Sequence, residues 1–83
     1  MSKHRHSVEI YGQMYHIVGK ASSGYVREVA RHVDEKMRNI ADSNPRLDTT
    51  RLAVLSAVNI TDTYMKLKQE HEEILHLIED DQP

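Results

Sequence analysis

The sequence predicts an α+β fold: an N-terminal β-hairpin, one amphipathic helix, and one long C-terminal helix that forms an intermolecular coiled coil. Three observations carry this. Residues 7–18 alternate in polarity around a glycine, residues 25–42 hold one apolar stripe at helical spacing, and from Ala53 onward apolar residues recur at alternating steps of four and three. Size adds a constraint. The chain has 83 residues, 39% of them apolar, with no Phe, Trp or Cys. A lone chain this small buries only about 60% of its unfolded surface. With no Cys to form a disulfide or a thiolate metal site, association with further copies is the remaining way to complete the core.

In the hairpin, Val8 and Ile10 alternate with Ser7 and Glu9, and Tyr15 and Ile17 with Met14, His16 and Val18. Gly12-Gln13 reads as a two-residue connection of type II′, whose first position needs positive φ. Two strands are barely stable alone, so the Val8/Ile10 and Tyr15/Ile17 face is expected to pack on helices. The GKASSG segment links to a helix over about Tyr25–Asp42, capped by Ser22 or Ser23. Val26, Val29, Ala30, Val33, Met37, Ile40 and Ala41 form its apolar stripe. Asn44-Pro45 ends it, because the residue before proline avoids the α region.

Asp48 or Thr49 caps the last helix, expected at 49–80, which at 1.5 Å per residue is roughly 45–50 Å long. Its first part, LAVLSAVNI, is apolar on nearly every side. The first helix and hairpin are expected on one side of it and a second chain on the other, with Asn59 a buried, hydrogen-bonded amide. Ala53, Ala57, Ile60, Tyr64, Leu67, His71, Ile74 and Ile78 form a heptad seam, apolar except at His71. A second stripe, Leu47, Val54, Val58 and Met65, is expected to serve the chain's own core. A charged imidazole at His71 would be costly to bury, so pairing is expected to loosen as pH falls toward about 6. The division that follows is a flexible N-terminus at 1–6, a head domain at 7–61 and a coiled-coil extension with an acidic tail at 62–83.

Composition excludes several function classes. The N-terminus lacks the apolar run of a signal peptide, and no segment approaches the roughly 20 apolar residues of a membrane span, so a cytoplasmic location is expected. His71 and His76 are spaced one residue too far for a helical zincin pair. His4 and His6, in the floppy terminus, suggest only adventitious metal binding. There is no phosphate-binding glycine loop, and no enzyme activity, cofactor or metal is expected. The formal net charge of −2 hides a polarity: residues 70–83 carry six acids and no Lys or Arg, while 1–20 and 46–69 are net basic. Acids at Glu79, Asp80 and Asp81 oppose the helix macrodipole, so the last turn is expected to fray. Nucleic acid is not an expected partner.

VEIYGQMYHIVG, VDEKMRNIA and LDTTRLAVLSAVNITDTYMKLK together resemble the ZapA family of bacterial cell-division proteins, in its short Bacillus-type form, from about Val8 to Leu77. The resemblance implies a non-enzymatic accessory protein at the division site. It would bind polymers of the tubulin-like GTPase FtsZ, bundle them laterally and stabilise the division ring. It implies a homodimer, with a tetramer possible in longer members; the short coil here points to the dimer. FtsZ is acidic as a family, so Lys36, Arg38, Arg46 and Arg51 are its candidate contacts. The alternative is a generic helical dimerisation adaptor or an antitoxin-like DNA-binding dimer.

Overall fold

In a computed structural model describing residues 3–80, with side chains through Ile78, the elements run β1 (His4–Ile10), β2 (Gln13–Gly19), α1 (Ser23–Ser43) and α2 (Thr49–Asp80). The strands pair antiparallel, with Ile10 opposite Gln13, Val8 opposite Tyr15 and His6 opposite Ile17. The connection is therefore Tyr11-Gly12 rather than Gly12-Gln13. Tyr11 has φ 50° and Gly12 φ 79°, a type I′ turn, which takes positive φ at both central positions. Glycine meets that requirement freely; a bulky residue such as Tyr11 does so under strain. The correction moves the pairing by two residues. An even shift leaves every side chain on its face, so Val8, Ile10, Tyr15 and Ile17 still share one. The strand also reaches back to His4, so residues 4–6 belong to the ladder and are not a flexible lead.

The Ser22 side chain caps α1, accepting the Tyr25 N–H at 3.2 Å. At the other end the Asn44 N–H donates to the carbonyls of Ile40 and Ala41, and Pro45 follows. Val26, Ala30 and Met37 are buried, while Val33, Ile40 and Ala41 are half-buried and Val29 is exposed. Val8 packs with Val26 and Ala30, and Ile10 and Ala21 lie against them. α1 covers β1 alone. Only half of the hairpin face is therefore packed, and Tyr15 and Ile17 remain exposed.

Asp48 caps α2, its carboxylate accepting the Arg51 N–H at 2.8 Å. This helix meets α1 and not the hairpin, which corrects the expected three-way packing. Leu52, 1% exposed, and Ser56 are buried and Ile60 is half-buried, at successive turns along one line. Ser56 Oγ donates to the Leu52 carbonyl at 2.8 Å, so its hydroxyl is satisfied inside the core. The stripe expected to serve that core is wrong beyond Leu47, which is half-buried: Val54, Val58 and Met65 are exposed. The two residues from Leu52 to Val54 turn the helix by about 200°, placing this stripe on the far side from α1. Asn59 is exposed rather than buried.

α2 runs unbroken across the expected boundary at 61–62. After Ile60 every described side chain is exposed. The last turn, expected to fray, is helical through Asp80, and Asp81 lies outside the described residues. The chain measures 54 × 41 × 15 Å with a radius of gyration of 17.3 Å, against about 12 Å for a compact domain of this length. Leu52→Ala should lower stability by about 3 kcal/mol, because it opens a cavity at the one place where the helices close on each other. Urea unfolding followed by circular dichroism measures this.

Candidate functional site

Two surfaces stand out. The first is apolar. All eight seam residues lie on α2, and all are exposed except half-buried Ile60. Tyr64 is 58% exposed, Leu67 59% and Ile74 56%. Ile60 joins Val29 and Val33 of α1 in lining a shallow hollow of about 290 Å³, so the seam begins on an α1–α2 surface and continues onto bare helix. Fully burying a side chain such as Leu67 or Ile74 contributes roughly 1.5–3 kcal/mol, and nothing among the described residues of the lone chain does so. His71 lies on the seam, exposed.

The second surface is charged and lies at the hairpin. Asp34 accepts the Tyr11 N–H at 2.7 Å and pairs with Arg38 at 3.0 Å. The Arg38 guanidinium in turn lies 5.5 Å from the centre of the Tyr11 ring. Two contacts thus hold the strained tip of the hairpin to α1, and the Asp34–Arg38 pair within α1 couples them. Arg38, and then the Tyr11 N–H, holds the Asp34 carboxyl below its ordinary range, while Asp34 raises Arg38. One turn away, Arg31 is gripped by both Glu28 and Glu35. That bonding lowers Glu28 and raises Arg31.

The structure does not gather the four sequence-predicted basic residues into one patch. Arg38 is committed to the hairpin tip. Lys36, two positions away, points to the opposite side of α1. Arg46 and Arg51 are exposed near the start of α2. Arg27, Arg31, Asp34 and Arg38 instead form a row at helical spacing, lining a cleft of about 320 Å³ beside β1. Of this row the sequence singles out only Arg38, as a candidate contact. The i, i+4, i+7, i+11 spacing was visible, but not that a strand would lie alongside it. His4 and His6, expected to be floppy, sit on β1 with rings 6.2 Å apart. His6 is buried, its Nδ1 3.4 Å from Ser23 Oγ. Among the described residues no group of three or more metal-ligating side chains comes together, and no helix is long and apolar enough to cross a membrane.

Residues 7–81 match the family described as Cell division protein ZapA. The chain belongs to the ZapA family. It is 55% identical over 73 residues to the ZapA of Bacillus mycoides (strain KBAB4), covering 88% of this chain and 82% of that protein. It is 56% identical over 72 residues to that of Bacillus anthracis, covering 87% and 81%. Among solved structures it resembles a ZapA mutant dimer from Geobacillus stearothermophilus, with TM-score 0.77, 44% identity and coverage of 95% and 92%. An unknown conserved bacterial protein from Pseudomonas aeruginosa PAO1 shares the fold at TM-score 0.63 and 26% identity, covering 96% and 91%. The ZapA assignment makes this a member of a cell-division protein family, and the hairpin–helix–long helix order accords with it.

Asp34 fastens the ZapA head, and its titration has a defined sign. Because its folded pKa is depressed, its stabilising contribution is complete above the ordinary aspartate value and is lost as pH falls through the folded value, below about pH 4. Asp34→Ala should lower the melting temperature at neutral pH and flatten the acid limb of a melting-temperature-against-pH curve. An unchanged acid limb would show that the tip is held by other contacts.

Proposed function

We propose that this chain works as a two-fold homodimer that binds FtsZ polymers, draws them side by side and so stabilises the division ring in the cytoplasm. The observation that carries this reading is the seam of α2: from Tyr64 to Ile78 its apolar residues lie exposed on a helix that no other element among the described residues covers. A seam with heptad spacing is covered by another helix of the same kind. Support for a dimer also comes from the similar Geobacillus stearothermophilus structure, which is described as a mutant dimer. FtsZ as the partner rests on membership of the ZapA family.

The physics of cross-linking needs no catalysis. Two copies of a weak binding face, held at fixed spacing, make attachment to the second filament intramolecular, and the effective concentration multiplies the avidity. The paired coil sets the spacing and the two heads carry the faces. Arg46 and Arg51, exposed and without ion pairs among the described residues, are contact candidates at the start of α2. Lys36 and Arg38 remain candidates on separate sides of α1.

Leu67→Asp should shift the light-scattering mass of the protein toward the 9.6 kDa of a single chain, raising the dimer dissociation constant at least tenfold. The same variant should fail to increase the amount of GTP-assembled FtsZ that pellets, while the wild type increases it and pellets with it. A monomeric variant that bundles filaments as well as wild type, or a wild type that never pellets with them, would refute the cross-linking reading.

A further inference from the structure

The two edges of the hairpin differ in chemistry. Ile10 and Gln13 close the two-residue turn, so Ile10, Val8, His6 and His4 bond to β2, and the backbone groups of Glu9, Ser7 and Arg5 point outward. The outward N–H groups of Ser7 and Glu9 have no partner among the described residues. α1 lies over this edge, leaving two adjoining hollows of about 320 and 140 Å³ that share Ser7 and Arg27. Together they make a trough along β1 with unpaired strand backbone on one wall and the arginine row of α1 on the other. The β2 edge, by contrast, presents exposed Met14, Tyr15, Ile17 and Val18.

Charge is uneven along the trough. Asp34 and Glu9 sit at the Arg38 end. The other end holds Arg5 and Arg27 beside the N-terminus of α1, whose dipole adds positive potential. Arg27 has no acidic partner among the described residues. On α1, Arg27, Arg31 and Arg38 lie roughly opposite Val29 and Val33, the residues that run into the apolar seam, so pairing through the seam leaves the trough open.

We propose that the trough between the outer edge of β1 and the arginine row of α1 docks an extended acidic segment of the polymer partner by strand addition, with its carboxylates opposite Arg5 and Arg27, the two arginines there that no carboxylate among the described residues already holds. Main-chain bonds to Ser7 and Glu9 hold the segment and the guanidinium groups select its charge. This rests on the reading that the partner is the acidic FtsZ polymer.

Two variants of the full-length protein separate the two halves of the idea. Arg27→Glu removes the charge match. Ser7→Pro deletes one outward N–H and spares the ladder, a position where a strand tolerates proline; it also removes the contact of Ser7 Oγ with His16 Nδ1, for which Ser7→Ala is the control. With dimer mass and circular dichroism unchanged, Arg27→Glu and Ser7→Pro should each weaken co-pelleting with FtsZ by about tenfold, and Ser7→Ala should not. Filament binding should also slow hydrogen exchange at the Ser7 and Glu9 amides. Wild-type pelleting by either variant, unaltered exchange at those amides, or a dimer that dissociates with Ser7→Pro overturns the proposal. If wild type itself does not pellet, the cross-linking reading fails and the trough proposal, which rests on it, falls with it; wild-type pelleting with unaffected variants overturns the trough alone.

Discussion

Nearly everything in this molecule follows from one geometric mismatch: α2 has 32 residues, and the rest of the chain can cover only its beginning. α1 closes on Leu52, Ser56 and Ile60, and past that point no other element among the described residues packs on the helix. A more polar helix could have stood alone in water. Here the uncovered part keeps an apolar residue at nearly every heptad position, so the helix is built as half of an interface. The flat, extended outline of the chain has the same cause.

The head repeats this economy on a smaller scale. One helix covers one strand and leaves the second strand's face open. Such a hairpin has little apolar burial to hold it, and its turn places Tyr11 in a conformation that bulky side chains avoid. The Asp34–Tyr11–Arg38 cluster compensates at that spot, with a charged acceptor on the strained backbone N–H and a cation against the ring. Charge-assisted bonds outweigh neutral ones. A polar fastening therefore fixes the angle of the hairpin where apolar packing is thin, and it orients β1 beside the arginine row.

Much of this was legible in the sequence because periodicity records it directly. The α1 stripe and the Asn44-Pro45 stop rest on spacing and local chemistry, and the structure places both helices within a residue or two of the expected limits. The hairpin face survived a wrong turn type because the pairing error was even. What sequence could not supply was the relative placement of elements. Val54, Val58 and Met65 are as apolar and as regularly spaced as a core stripe, and only the position of α1 reveals that Leu52 and Ser56 are the inward line. His6 looked like part of a mobile basic terminus until the strand was seen to reach His4.

The same limit explains the charged surface. On a helical wheel Arg27, Arg31, Asp34 and Arg38 are an ordinary polar flank, indistinguishable from the face that carries Lys36. Their meaning changes once the hairpin lies against α1 on one strand only. That offset exposes the outer backbone of β1 next to the flank, and it turns a row of side chains into one wall of a trough. Because α1 lies over β1 alone, the placement that leaves β2 bare also sets the β1 edge beside the arginine row. Apolar side chains line one edge, and arginines make the other a place for an acidic chain.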